Sequence, residues 1–229
     1  MLADRRQFTY RVAHRVRESR PVARMLTNQF HKLYYDASET WTGLKWLGVQ
    51  TQKFPGDLWV YQEIITEQRP DWIIESGTNR GGSALFLASV CEALGHGRVI
   101  SIDVQAPSSP PQHSRLEYIV GSSTSGEVLA QLQDRVAGAA GVMVLLDSDH
   151  SLGHVQRELE LYSDLVTPGS YLVVEDTNLA GHPVKSYLHA GPYEAVCEFL
   201  ATDSRFAIDR SREKFFLTFN PDGFLRRAA

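Results

Sequence analysis

Acids stand where short apolar runs stop. Ile73 and Ile74 lead into Glu75 and Ser76, RVISIDV (98–104) carries Asp103, GVMVLLDSD (141–149) ends in Asp147 and Asp149, and SYLVVEDT (170–177) ends in Glu175 and Asp176. A further run, LEYIVG (116–121), gives way to Ser122 and Ser123. One such acid means little, since turns and caps use Asp routinely. A set that converges is a site. Carboxylate oxygens are hard ligands, so Asp147, Glu175 and Asp176 together suit Mg²⁺, Mn²⁺ or Ca²⁺ with positions left for water or substrate. The plainer reading of Glu175 and Asp176 is a solvated loop start. His150 follows Asp147 by three positions and suits a general base, its unperturbed pKa lying near about 6.5; alternatively it caps the helix that starts there. His154, one turn on, is expected at the surface or behind the site. His182 sits in a Gly/Pro loop, where it either reaches substrate or only serves the turn. Asp103, ending the second strand of the series, suits ribose hydroxyls and would repel a phosphate. The run Ser122–Ser125 is no nucleophile elbow, which sets serine hydrolysis aside.

The elements that must hold these groups read as follows. DWIIESGTNRGG (71–82) is a buried strand and a glycine turn, and SALFLASVCEAL continues it as a helix. Glycines let a ligand approach the backbone, Gly77 above all, and a helix start offers unpaired N–H groups. The spacing is G-x-x-x-G-G from Gly77 to Gly81 and Gly82, not the dinucleotide G-x-G-x-x-G. Strand–helix alternation from Pro70 onward predicts a mostly parallel, doubly wound α/β sheet, with ligands outside the carboxyl ends of its strands. FAIDR and KFFLTFN are expected to close it as a hairpin-like pair, with one antiparallel strand at the edge. Upstream, residues 1–36 read as helical with a break at Pro21. Residues 37–56 mix Trp41, Trp46 and Phe54 with glycines and prolines, as either a packed loop or a lid. Asp57 is placed to cap LWVYQEIITEQ, which ends before Pro70. The expected division is an extension over 1–56, for lid and oligomerisation, and a cofactor-binding domain over 57–229. The 37–56 and 178–191 segments are expected to cover the acceptor.

Composition narrows the class. With 229 residues, 43% of them hydrophobic, the chain can bury one sizeable core. A net charge of −4 gives no reason to expect a nucleic-acid partner. Arginines from Arg5 to Arg24 alternate with apolar residues, which suits an amphipathic helix packing on another subunit. No stretch is long and apolar enough for a membrane span, and the start lacks the apolar centre of a signal peptide. Two cysteines, Cys91 and Cys197, are too few for a disulfide scaffold, so a reducing cytoplasm is expected.

Taken together, WIIESGTNRGGSALFLA, VISIDV, VMVLLDSDHS and YLVVEDT resemble the cephalosporin hydroxylase family, over roughly residues 37–227. Despite that name, the resemblance implies a Rossmann-like class I S-adenosylmethionine-dependent methyltransferase fold of about seven strands, the last antiparallel, behind an N-terminal helical extension. It implies an O-methyltransferase acting with Mg²⁺ or Mn²⁺ on a small natural product or sugar with adjacent oxygens, as a homo-oligomer and with an antibiotic-biosynthesis setting. Glu75, Gly77 and Ser83 would hold the amino-acid end of S-adenosylmethionine and Asp103 its ribose, with Ser122 or Ser123 near the adenine. Thr78, Gly82 and Asp147 complete the cofactor set. Asp147, Glu175 and Asp176 would bind the metal and His150 would be the base. Where catechol-type relatives carry Asp-Asn and Lys, this chain carries Glu175-Asp176 and His150.

Two other classes are weighed against this. An NAD-dependent oxidoreductase lacks its G-x-G-x-x-G. A non-catalytic partner subunit of an oxidative tailoring complex has no need of the Asp147–His150–Glu175–Asp176 set.

Overall fold

The computed structural model describes residues 19–229. Helix α1 spans Arg20–Asp36 and α2 Glu39–Thr42; the hairpin β1 (Lys45–Trp46) and β2 (Val49–Gln50) and helix α3 (Pro55–Gln68) follow. Strands and helices then alternate: β3 (Trp72–Ser76), α4 (Gly82–Ala93), β4 (Arg98–Asp103), β5 (Leu116–Val120), α5 (Gly126–Val136), β6 (Val142–Leu146), α6 (Leu152–Tyr162), β7 (Tyr171–Val174), α7 (Pro192–Thr202), β8 (Phe206–Ile208) and β9 (Phe224–Arg227). The main sheet has seven strands in the order β5-β4-β3-β6-β7-β9-β8. The first five are parallel, and β9 runs antiparallel to both its neighbours.

The strands read as unbroken apolar runs because both sheet faces are covered. Ile73, Val99, Met143 and Val173 pack under α3 and α4. Their neighbours Ile74, Ile100, Val144 and Leu172 pack on the other face with α5, α6 and α7. Each such side chain contributes about 1.5–3 kcal/mol on burial. Register then sets where the acids emerge. Ser76 pairs with both Ile102 and Leu146, so β3, β4 and β6 end at one level. The chain leaves β3 toward one edge and returns to β6 on its other side, which opens a crevice at that end of the sheet.

Three expectations are corrected. The antiparallel strand is not at the edge: β9 lies between β7 and β8. KFFLTFN is not a strand either. Residues 217–220 are buried as a loop, tied down by the Asp57 carboxylate, which accepts from Thr218 Oγ1 at 2.6 Å and Phe219 N at 2.9 Å. Asp57 therefore does not cap its own helix; Phe54 holds the N-cap position and Asp57 lies in the first turn. Pro21 lies in the first turn of α1, where proline fits, and the helical reading of residues 1–18 lies outside the described residues. The arginines from Arg5 to Arg17 lie outside the described residues.

The 37–56 segment is packed into the body. Trp46 stacks edge-on against Phe86, ring centroids 4.9 Å apart, and a side chain at Gly82 would overlap Thr51 and Gln50. His31, Tyr34, Tyr35, Trp41 and Phe54 surround Phe219. Among the described residues no helix is long and apolar enough to cross a membrane.

Candidate active site

The crevice at the carboxyl ends of the strands holds a cavity of about 940 Å³. Gly77, Asp103, Ser123, Asp147, His150 and Asp176 all line it. One ladder continues a residue past the strand ends: Gly77 N donates to Ile102 O at 2.8 Å, Asp147 N to Ser76 O at 3.0 Å, and Glu175 N to Leu146 O at 2.9 Å. The backbone therefore fixes these side chains before any ligand arrives.

In the cavity wall, Gly77 has φ +91°, and a methyl there would overlap the Asp147 carbonyl. Only glycine lets the first strand's turn lie this close to the fourth strand's end. Asp103 accepts from Asn79 N at 2.9 Å and Gln105 N at 3.0 Å. Each carboxylate oxygen keeps lone pairs for further donors. Glu75 does not line the cavity. It is fully buried, bonded to Ser101 Oγ at 2.6 Å and to Ser83. Thr78 is buried on Ser101, Gly82 lies under the hairpin, and the Ser122 hydroxyl turns to Thr124. These residues build the turns that carry the cavity wall.

Also in this wall, Asp147, His150 and Asp176 each bring one ligand atom within 4.8 Å of the others. His150 Nε2 lies 3.1 Å from Asp176 Oδ2 and 4.0 Å from Asp147 Oδ1. Glu175 is outside this trio: its carboxylate meets Lys53, while the Asp176 carboxylate faces His150. Asp176 adopts φ +55° at the turn that leaves β7. Asn220 Oδ1 holds that turn by accepting from Asp176 N at 3.0 Å.

The Glu175 carboxylate meets Lys53, which the sequence did not single out. The Lys53 ammonium donates to Glu175 Oε2 at 2.6 Å and to Asp147 Oδ2. Burial alone would lower the lysine's pKa, but Asp147, Glu175 and Glu75 outweigh it and raise it above the usual range. Lys53 is therefore a fixed cation. Burial pushes Glu175 well above the ordinary carboxylate range, against the pull of Lys53. Burial also raises Asp176, with His150 opposing and Asp147 adding to the shift. Glu175 Oε1 is buried and finds no hydrogen-bond partner among the described residues. Three carboxylates with an unpartnered oxygen, next to an imidazole, form a donor set that fits a hard divalent cation.

Tyr35, Trp41, Gln52 and Leu179 also border the cavity. His154 belongs to its wall and not the surface: its Nε2 lies 3.2 Å from Ser123 Oγ and 3.0 Å from Ser148 Oγ. His182 does not line it; Glu194 holds the ring at 2.8 Å, and Tyr193 stacks on it.

Residues 38–228 match the family described as Rhamnosyl O-methyltransferase/CmcI. A rhamnosyl O-methyltransferase of Mycobacterium leprae is 38% identical over 210 residues, 88% of this chain and 90% of that protein. The chain belongs to the rhamnosyl O-methyltransferase/CmcI family. A rhamnosyl O-methyltransferase of Mycobacterium bovis is 35% identical, over 88% of this chain and 85% of its own length. Among solved structures, CmcI with Mg and SAM superposes with a TM-score of 0.63 at 21% identity, over 82% of this chain and 78% of that one. A putative caffeoyl-CoA O-methyltransferase from Staphylococcus aureus gives 0.55 at 13% identity, over 86% and 91%. These likenesses share the class I methyltransferase sheet seen here. As a family member the chain is an S-adenosylmethionine-dependent O-methyltransferase.

Proposed function

We propose that the protein methylates a hydroxyl of a rhamnose-type sugar on a small-molecule acceptor, with Mg²⁺ bound beside the methyl donor. The observation that carries this is one cavity lined both by Gly77 and Asp103 and by the Asp147, His150 and Asp176 cluster. S-adenosylmethionine supplies an electrophilic methyl group, and the cation a Lewis acid that favours the deprotonated hydroxyl. Asp103 would accept the ribose hydroxyls, and Gly77 leaves room for the donor against the backbone. Asp147, Asp176 and the unpartnered oxygen of Glu175 would hold the cation. His150 takes the acceptor's proton; Asp176, 3.1 Å from its Nε2, keeps the ring in place. Tyr35 and Trp41 wall the acceptor side and exclude water. Positioning then does most of the remaining work, since the oxygen must meet the methyl group in line.

Incubation with isotopically labelled S-adenosylmethionine and a panel of rhamnosyl, other sugar and catechol acceptors tests this. Label transfer to rhamnosyl acceptors supports the reading; transfer only to catechols, or none with any sugar, rejects it.

A further inference from the structure

Lys53 is the one buried lysine or arginine among the described residues. It stands in the connection from β2 to α3, and that connection is fixed on both sides. Thr51 lies against Gly82, and the Phe54 ring packs on Phe219, centroids 5.7 Å apart. The ammonium is therefore delivered to one place by a packed backbone. There it meets Asp147 and Glu175 directly, with the charges of Glu75 and Asp176 close enough to feel it. It takes one oxygen of each contacted carboxylate, Asp147 Oδ2 and Glu175 Oε2. The other oxygens stay open: Asp147 Oδ1 faces His150, and Glu175 Oε1 has no partner among the described residues. Carboxylates gathered this tightly repel one another unless a cation stands among them.

We infer that Lys53 is an internal counter-ion of the metal site, which balances Asp147 and Glu175 when the divalent ion is absent and holds that ion's affinity down when it is present. The inference rests on the metal reading above. Two effects of opposite sign follow. Removing the ammonium leaves the metal-free cleft with uncompensated acids, so the protein is less stable. The same change removes a positive charge and releases two carboxylate oxygens, so a divalent ion binds more tightly. A lysine that merely fills space gives the first effect without the second.

The test uses the full chain with Mn²⁺ as the probe, comparing wild type, Lys53→Met and the charge-balanced double variant Lys53→Met/Glu175→Gln. Calorimetry should give Mn²⁺ binding at least tenfold tighter in Lys53→Met than in wild type. Melting in EDTA should be lower for Lys53→Met, saturating Mg²⁺ should close most of the gap, and the double variant should recover in EDTA. If Lys53→Met does not fold in EDTA while the double variant does, that recovery itself supports the inference. Should neither variant fold, with or without Mg²⁺, Lys53 is structural and the inference falls. Unchanged or weaker Mn²⁺ binding in Lys53→Met, with wild type binding normally, overturns this inference alone. No Mn²⁺ binding by either wild type or Lys53→Met overturns the metal reading as well.

Discussion

Replacing Gly77 by alanine probes the close approach of the turn after β3 to Asp147. Its φ of +91° disfavours any L side chain, at a cost of about 1–2 kcal/mol. The added methyl would also overlap the Asp147 carbonyl oxygen and lie 2.6 Å from its carbonyl carbon and 3.2 Å from Ser148 Cα. All three are backbone atoms, so no rotamer change relieves the contact. Ordinary separation returns only if the Gly77 turn or the 147–148 backbone moves by roughly an ångström, and misplacements of that size cost about 100-fold in rate. Adding the backbone displacement, a total destabilisation of about 2–4 kcal/mol is expected. At about 2–4 °C per kcal/mol for a chain of this size, melting should fall by roughly 4–16 °C. Calorimetry with S-adenosylhomocysteine should show at least tenfold weaker binding in the folded variant. Affinity within twofold of wild type, with melting unchanged, would refute the argument that this turn is fixed by its approach to Asp147.

Three further outcomes are expected. Asp103→Ala should weaken S-adenosylhomocysteine binding at least tenfold with melting little changed, because bonds to a charged acceptor contribute about 1.5–3 kcal/mol each; unchanged calorimetric affinity would remove its ribose role. His150→Ala should retain S-adenosylhomocysteine binding and lose about 10²–10⁴ in methyl-transfer rate, the scale of general-base catalysis; an unchanged single-turnover rate would end that assignment. Burial raises the Asp57 carboxyl from 3.8 to about 7, against the Thr218 and Phe219 bonds, so from pH 4 to 7 the folded chain keeps a proton that the unfolded chain releases, and this group's contribution to stability falls as pH rises. Burial lowers His31 to about 4, which acts with the opposite sign over much of the same window. Asp57→Asn removes only the first effect. Its melting temperature relative to wild type should therefore climb between pH 4 and 7, and a constant difference would show that Asp57 does not titrate there.

The strand-end acids were legible because buried parallel strands are apolar throughout, so the first polar residue marks where the strand leaves the core. That logic places Asp103, Asp147 and Asp176 at one cavity, together with Gly77 and His150. It says nothing of where an acid points once the chain turns. Glu175 and Asp176 are adjacent in sequence, yet Glu175 meets Lys53 and Asp176 meets His150, a division set by side chains distant in sequence. Lys53 was invisible for another reason. Its partners lie 94 and 122 residues away, and one lysine in an aromatic, irregular stretch carries no periodic signal. KFFLTFN misled because only part of its apolar run is buried: Phe215 and Phe216 are exposed while Leu217 and Phe219 sit in a buried loop, and the Asp57 bonds to Thr218 and Phe219 that hold this loop span more than 160 residues. Just before β9 the chain passes Gly223, where a side chain would overlap Val174 O.

We propose that Asp147, Asp176 and Glu175 hold a divalent ion beside the methyl donor so that His150 can deprotonate a sugar hydroxyl. Methyl transfer from labelled S-adenosylmethionine to a rhamnosyl acceptor, measured in EDTA and again after Mg²⁺ is restored, tests this most directly. Label is expected in the sugar only when Mg²⁺ is present, and none in either buffer for Asp147→Ala that still binds S-adenosylhomocysteine. Full transfer in EDTA, or an Asp147→Ala variant as active as wild type, would contradict it.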